Sequence, residues 1–435
     1  PLCDWSSDVC SSDLRGSTGL IAAARYRLPR MIARLAYGQG HRAVELPADR
    51  TTVIEPRHAP ELPDERATLQ TALEHPVECP PLRQWIRPGG RVCIAFTDST
   101  RATPNDRLIP WLLDYLADVP ADRITLLNQL GTHRPNTRVE LARILTPSVL
   151  ERYRVLNHEP ENPDALVPVG RLRDGTPALV NRHLVEADLR IITGFIEPHF
   201  FAGFSGGPKA VAPGLASIDT ILGLHSYGLV ADPQSTWGVL DGNPLQQALR
   251  DAAACCPPDF LINVTLNTAK ELTGIFCGQY LEAHRAGCLR AAEDAMAPVT
   301  APCPLVITSN SGFPLDQNLY QTVKGISAAA RICADGGRII VASECADGVP
   351  DHGHFAELMA RTESPRDVLN WIRSQPACVL DQWQAQVLAT VLIRRRVSVY
   401  SSLPPRRVAQ CMLTPVADLQ AAVDAELAAL GPGAD

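Results

Sequence analysis

Residues 194–226 read GFIEPHFFAGFSGGPKAVAPGLASIDTILGLHS, and they follow an apolar run, residues 189–193, that has the length and composition of a buried strand. The stretch packs His199, His225, Lys209 and a Ser205-Gly206-Gly207 turn into a single irregular loop. Gly203, Gly206 and Gly207 permit positive φ and close backbone approach, so their N–H groups are candidates for an anion-binding concavity. Pro198, Pro208 and Pro213 stiffen what the glycines loosen. A plain turn between the strand and a helix expected near Ile218 accounts for any one of these glycines. The two histidines and the lysine together, bracketed by proline and glycine, point instead to a ligand site.

Working outward, the same grammar of strand, polar loop and helix recurs on the N-terminal side. Residues 91–96, RVCIAF, form a short apolar strand, followed by Asp98 and Arg101 in a polar loop. Thr103 is the expected N-cap, with Pro104 at the first position of a helix over residues 105–117. Residues 123–129 form the next strand, His133 lies in its loop, and Thr137 caps the following helix. Open α/β sheets bind ligands at the carboxyl ends of their strands, and right-handed crossovers bring these loops to one side. Asp98 and Arg101 alone read as a capped turn with an ion pair; with His133 and the 194–226 loop at the same edge they become site candidates.

The expected fold class is α/β, as two α/β domains with the active site in the cleft between them. A pair of strands is expected from residue 31 to about 56 and a helix over residues 60–75. Further strands fall at residues 260–266, 304–309, 336–342, 377–380 and 397–402, with helices at 279–297, from Leu319, and at 417–430. Tyr320, Gln321 and Lys324 share one face of the helix from Leu319, a face that can point into the cleft or into solvent. The domains are placed at residues 31–300 and 301–412, with a C-terminal helix and tail at 413–435. Residues 1–30 are expected to be a non-native or disordered leader. Residues 4–14, DWSSDVCSSDL, resemble a translated sequencing adapter, and Met31 is the expected start.

At 435 residues, two domains are the natural prior, and 46% hydrophobic with 20% charged residues describes an ordinary globular chain. A net charge of −7 without long like-charge runs argues against a nucleic-acid surface. No apolar run approaches the roughly 20 residues that span a bilayer. Thirteen cysteines without a paired CxxC fit reduced thiols, so a cytoplasmic protein acting on small molecules is expected, with neither nucleic acid nor membrane as partner.

Taken together, DSTR at Asp98, GTHR at Gly131, EPHFFAGFSGGPK at Glu197, GLHS at Gly223 and YQTVKG at Tyr320 resemble the nickel-pincer lactate racemase family. The resemblance is dispersed over nearly all of the chain from Met31, and no motif position is substituted. It implies a two-domain α/β racemase or epimerase that inverts the carbinol carbon of lactate or another 2-hydroxy acid. The implied cofactor is a nickel-pincer nucleotide, nickel pyridinium-3,5-bisthiocarboxylic acid mononucleotide, and proteins that synthesise it are implied partners. By resemblance, Lys209 carries the covalent link to one cofactor arm and His225 binds the nickel. His133 and His199 are then the two general bases, and Arg101 and Lys324 hold the substrate. Asp98, Ser205, Gly206, Gly207, Tyr320 and Gln321 complete the cofactor and substrate contacts.

The residue chemistry is consistent with that implication. Imidazole suits nickel, and sulfur and carbon donors from a cofactor complete the planar geometry that nickel(II) favours. A symmetric inversion needs a base on each face, and no side chain accepts a hydride, so an organic acceptor is required. Two other classes stay open on the residues alone. One is a zinc-dependent hydrolase or lyase with His133, His199 and His225 as ligands; the other is a non-catalytic nucleotide-binding protein. The first lacks a short HxH or HxxxH pair and leaves Lys209 unused.

Overall fold

Val92–Phe96 forms a central strand of the first sheet, and all of its residues are buried. The computed structural model describes residues 30–57, 59–350, 353–362 and 364–431, so the expected leader, apart from Arg30, and residues 432–435 lie outside the described residues. Six strands make this sheet, in the order Leu272–Gly278, Phe260–Leu266, Leu189–Phe195, Val92–Phe96, Ile124–Asn128 and Arg154–Asn157. All pairings are parallel except that of the edge strand Leu272–Gly278. Burial on both faces explains the near-continuous apolar runs. Ile94 and Phe96 point into one core with Leu108 and Leu112, whereas Cys93 and Ala95 point into another with Leu127, Ile192 and Val211.

The order of these strands decides where the site forms. From Val92–Phe96 the chain moves outward through Ile124–Asn128 to Arg154–Asn157, then returns to the other side of the starting strand as Leu189–Phe195. The reversal lies between Val92–Phe96 and Leu189–Phe195, the position at which doubly wound sheets open a crevice at their carboxyl ends. The loops bearing Asp98, His133 and His199 leave the sheet there.

A second, wholly parallel sheet runs Cys303–Ser309, Cys333–Ala342, Arg396–Tyr400, Thr414–Val416. One face packs on the helices Leu319–Ala330 and Gln382–Leu392 through Val323, Ile326, Leu388, Ile339 and Val397. The other face is covered by the N-terminal hairpin, Arg30–Tyr37 with Gly40–Pro47, and the helix Leu419–Leu430. Tyr37, Val44 and Leu46 bury against Ile340, Ala342, Leu419 and Val423. The hairpin, read in sequence with the residues that follow it, thus contributes its apolar face to the second sheet.

Three local expectations differ from the structure. Residues 377–380 are not a strand; they form a turn into the helix Gln382–Leu392, whose N-cap, Asp381, adopts the left-handed conformation. Pro104 rather than Thr103 occupies the N-cap of Asn105–Tyr115, and the Thr103 hydroxyl is buried without a hydrogen-bond partner within the protein. The strand Leu272–Gly278 was not expected; its two glycines dilute the β-forming signal. Thr137, by contrast, forms the full capping box with Glu140.

Candidate active site

Asp98 and His133 come from neighbouring strands and meet directly: His133 Nδ1 lies 2.7 Å from Asp98 Oδ2. Thr100 Oγ1 donates to the other carboxylate oxygen at 2.7 Å. Their loops are stitched together by Asn136, whose amide binds Ser99 Oγ at 2.9 Å and accepts from Asn128 at 2.9 Å. Asp98 is 4% exposed and His133 39% exposed, so the carboxylate is fixed while the imidazole faces open space. Burial by itself raises the Asp98 pKa, but the His133 hydrogen bond and charge, with Arg101 and Thr100, outweigh it and hold the group below its ordinary value. An ionised Asp98 is an acceptor only, so in the neutral tautomer of His133 the proton sits on Nδ1 and Nε2 presents a lone pair.

His199 has the opposite arrangement. It lies in a short two-stranded ribbon, Pro198–His199 with Gly203–Phe204, and its Nδ1 accepts from the backbone N–H groups of Phe201 and Ala202 at 3.5 and 3.3 Å. Those partners can only donate, so a neutral His199 carries its proton on Nε2. Desolvation, then the charges of Lys209, Lys324 and Arg101, push its pKa well below the usual histidine range. Gly203 makes the ribbon possible: its φ is +77°, and a Cβ there would fall 1.9 Å from the Val239 carbonyl oxygen.

The Ser205-Gly206-Gly207 turn spends its polar groups internally. Ser205 Oγ donates to Phe195 O at 2.8 Å and accepts from Glu197 N–H at 2.9 Å, and Gly207 N–H donates to Asn263 Oδ1 at 2.8 Å. Ser205 N–H is also used, on Glu197 O. Of the glycine N–H groups suggested for an anion-binding concavity, that of Gly207 is thus spent on Asn263 and shapes the turn. What the turn presents is Lys209, on the single helical turn Gly207–Ala210. Desolvation, reinforced by Arg101 and Lys324 against Glu197, lowers the Lys209 pKa to about 7; desolvation and Arg101 lower that of Lys324 to about 8.

His225 ends the helix Ile218–Leu224, which Ser217 caps. Its Nδ1 donates to Ile221 O at 2.8 Å, leaving the Nε2 lone pair free for a metal, the orientation a ligating histidine requires. Burial holds its pKa down at about 4. The second half of the chain reaches this residue. The Trp383 indole lies 4.4 Å from the His225 ring, and the Cys378 thiol donates to His225 O at 3.3 Å. Trp383 Nε1 donates to Tyr320 Oη at 3.1 Å, and Tyr320 Oη donates to Asp381 Oδ1 at 3.0 Å. Burial and Asp381 raise the Tyr320 pKa well above its ordinary value, so its hydroxyl stays protonated.

Arg101 is the common neighbour. Its charge acts on Asp98, His199, Lys209, Tyr320 and Lys324, so these residues, far apart in sequence, lie within electrostatic range of one guanidinium. Gln321 is held at the start of the same helix by Asn318, which accepts its backbone N–H at 2.9 Å. Phe200 and Phe201 pack in an apolar cluster with Trp383, whereas Phe313 is exposed. Sequence reading gave no role to Trp383 or Asp381, because the helix that follows Asp381 was not recognised. Among the described residues, no three of His, Cys, Asp or Glu are grouped to hold a metal, so the three-histidine zinc site is not formed. No helix among them is long and apolar enough to cross a membrane.

Buried neutral histidines have a measurable consequence. Burial lowers His158, His225 and His284 each to about 4, against 6.5 for the free side chain. The unfolded chain therefore binds more protons between these values, and stability falls as pH drops from about 6.5 towards 4, by up to ~1.4 kcal/mol per pH unit and ring. Urea midpoints are expected to be lower at pH 5 than at pH 7; equal midpoints would contradict this proton accounting.

Comparison with known proteins identifies the family. Residues 37–238 match the lactate racemase N-terminal domain family, and residues 299–434 match the lactate racemase C-terminal domain family. The chain is 35% identical over 393 residues to lactate racemase of Thermoanaerobacterium thermosaccharolyticum, covering 88% of this chain and 92% of that protein. It is 35% identical over 342 residues to lactate racemase of Lactiplantibacillus plantarum, covering 78% and 80%. The structure of the lactate racemase apoprotein from Thermoanaerobacterium thermosaccharolyticum superposes with a TM-score of 0.85 at 35% identity, over 91% of this chain and 94% of that one. A Thermotoga maritima protein, 19% identical with a TM-score of 0.66 over 83% and 93%, shares the fold. With both family domains matched and 35% identity to relatives covered over at least 80% of their length, the chain belongs to the lactate racemase family and is a racemase.

Proposed function

We propose that this racemase inverts the carbinol carbon of lactate or a closely related small 2-hydroxy acid with a nickel-pincer nucleotide as cofactor. The observation that carries the reading is the convergence on Arg101 of His199, Lys209, Lys324 and the Asp98–His133 pair.

The residues fit the cofactor. His225 offers one imidazole lone pair and, among the described residues, no protein triad accompanies it, as suits a metal whose other donors arrive with an organic ligand. Lys209, with a pKa of about 7, is about half neutral amine at pH 7 and so open to linkage to a thio-acid arm. When bound, the cofactor supplies the hydride acceptor at the carbinol carbon that no side chain can provide.

The protein does the rest. Arg101 and Lys324 hold the substrate carboxylate. His133 Nε2 takes the hydroxyl proton, and Asp98, hydrogen-bonded to Nδ1, stabilises the imidazolium that results. His199 directs its Nε2–H to the substrate oxygen from the other face. To return a proton to that oxygen His199 must first take up a second one, because a neutral imidazole that gave up its only N–H would be left as imidazolate; the proton gained by His133 and the one given by His199 balance through solvent. Tyr320 and Trp383, tied to Asp381, bring the second domain against His225.

The test is direct. Protein made together with the cofactor-synthesis proteins is incubated with single enantiomers of lactate and other 2-hydroxy acids, and the products are separated on a chiral column. Approach to a 1:1 mixture from either side, with nickel near one per chain, is expected. Nickel-loaded protein that interconverts none of the acids would refute the reading. His225→Ala is expected to lower the nickel content by at least tenfold.

A further inference from the structure

We propose that His284, on the helix Glu282–Ala295, is a positioning residue that fixes the Ser205-Gly206-Gly207 turn and thereby the direction in which Lys209 enters the cleft. The proposal rests on reading Lys209 as the cofactor-bearing lysine. His284 is 1% exposed, and its Nε2–H donates to Ser205 O at 2.9 Å. The ring also lies close against Gly207, where an added Cβ would fall 2.4 Å from its Cγ and 2.6 Å from its Nδ1. The turn is thus gripped at residue 205 by His284 and at residue 207 by Asn263, immediately before Lys209.

The other ring nitrogen shows that this is a polar site and not simple packing. With Nε2 committed as donor, Nδ1 holds a lone pair, and it has no partner within the protein. The helix Pro244–Ala254, which packs on the Gly207–Ala210 turn, carries Gln246 and Arg250 one helical turn apart. Gln246 is fully buried with both amide atoms unpartnered, and Arg250 Nε is likewise unpartnered. Asp241 ties the two helices, 2.5 Å from Arg285 Nη1 and 3.9 Å from Arg250 Nη1. Buried acceptors and donors of this kind are satisfied by ordered water, which donates to an imidazole nitrogen and accepts from an N–H. The Ser205 carbonyl oxygen, which can only accept, holds the His284 proton on Nε2. Misplacing a reacting group by about 1 Å can cost ~10²-fold in rate, so a fixed turn matters for Lys209.

The experiment reads Lys209 directly. Full-length chain made without the cofactor-synthesis proteins is pulsed with acetic anhydride at graded pH, and acetylation of Lys209 is quantified by peptide mass. The wild-type midpoint is expected near pH 7. His284→Asn, too short to reach Ser205 O, is expected to move it up by about 1 pH unit or more as the released amine regains water. His284→Gln, whose amide can replace the Nε2–H, is expected to keep it within about 0.3 unit. Gly207→Ala, which drives a methyl group into the ring, is expected to behave as His284→Asn. An unmoved midpoint in His284→Asn or Gly207→Ala, or an equal shift in His284→Gln, overturns the proposal. Because the labelling needs no cofactor, nickel-loaded wild-type protein that interconverts no 2-hydroxy acid would overturn the functional reading while leaving this result standing.

Discussion

Replacing His133 by alanine is expected to slow inversion from both enantiomers by ~10²–10⁴-fold, and His199→Ala to do the same. A racemase has an equilibrium constant of one, so a step lost on one face is lost to both directions of the reaction. The two variants nevertheless differ in kind. His133 rests with its lone pair outward because Asp98 holds Nδ1–H at 2.7 Å, whereas His199 rests with Nε2–H outward because backbone N–H groups occupy Nδ1. Asp98→Asn therefore gives a third expectation. Its amide can donate to His133 Nδ1, turning the Nε2 lone pair into an N–H, so activity falls although every side chain stays in place. Neither histidine is hydrogen-bonded to His225, the proposed nickel ligand, so metal content and the mass of the Lys209 adduct are expected to match wild type. The measurements are initial rates from each enantiomer by chiral chromatography, metal analysis and intact mass. Full activity in either alanine variant would end the two-base scheme; an active Asp98→Asn enzyme would remove the tautomer argument alone.

How far the sequence speaks to this arrangement depends on the range of the signal. Strand and loop punctuation is local, so the runs at residues 91–96, 123–129 and 189–193 and the glycine-rich loop were legible, and sheet chirality then placed Asp98, His133 and His199 at one edge. The environment of each group was not legible. Nothing local to Lys209 indicates that Arg101 and Lys324 press on it, because those charges arrive from other strands and from the second domain. The glycine turn suggested backbone N–H groups offered to an anion, yet Ser205 and Gly207 give theirs to Glu197 and Asn263, partners 8 and 56 residues away in the chain. Trp383 was invisible for a related reason. Its helix is almost wholly buried and carries three glutamines among its apolar residues, a pattern without amphipathic period. The N-terminal hairpin was recognised as strands, but alternation says only that one face is buried, and not that Ile340 and Leu419 bury it.

Lys209→Arg is expected to abolish the covalent adduct and, with it, racemisation, although the positive charge is kept. A lysine with its ordinary pKa of 10.5 is neutral in roughly 1 molecule in 3,000 at pH 7, whereas one lowered to about 7 is neutral in about half. Desolvation is the main cause, and Arg101 and Lys324 add to it while Glu197 opposes them. The sign gives a pH dependence: cations near the amine disfavour its charged form, so the rate of attachment should rise through pH 7 and level off by about pH 8. An ordinary lysine would continue to gain up to about pH 10. Arg101→Gln removes one of those cations, so the midpoint should move upward and attachment at pH 7 should slow; Glu197→Gln removes the opposing anion and should move it downward. Arginine at position 209 cannot become a neutral nucleophile at any of these pH values, which is why charge conservation does not rescue it. Intact mass after timed exposure to the cofactor-synthesis system gives both the yield and the midpoint. An adduct that persists in Lys209→Arg, or a wild-type profile still rising at pH 9, would show that the amine at position 209 is not the group attached and that its position between Arg101 and Lys324 serves the substrate instead.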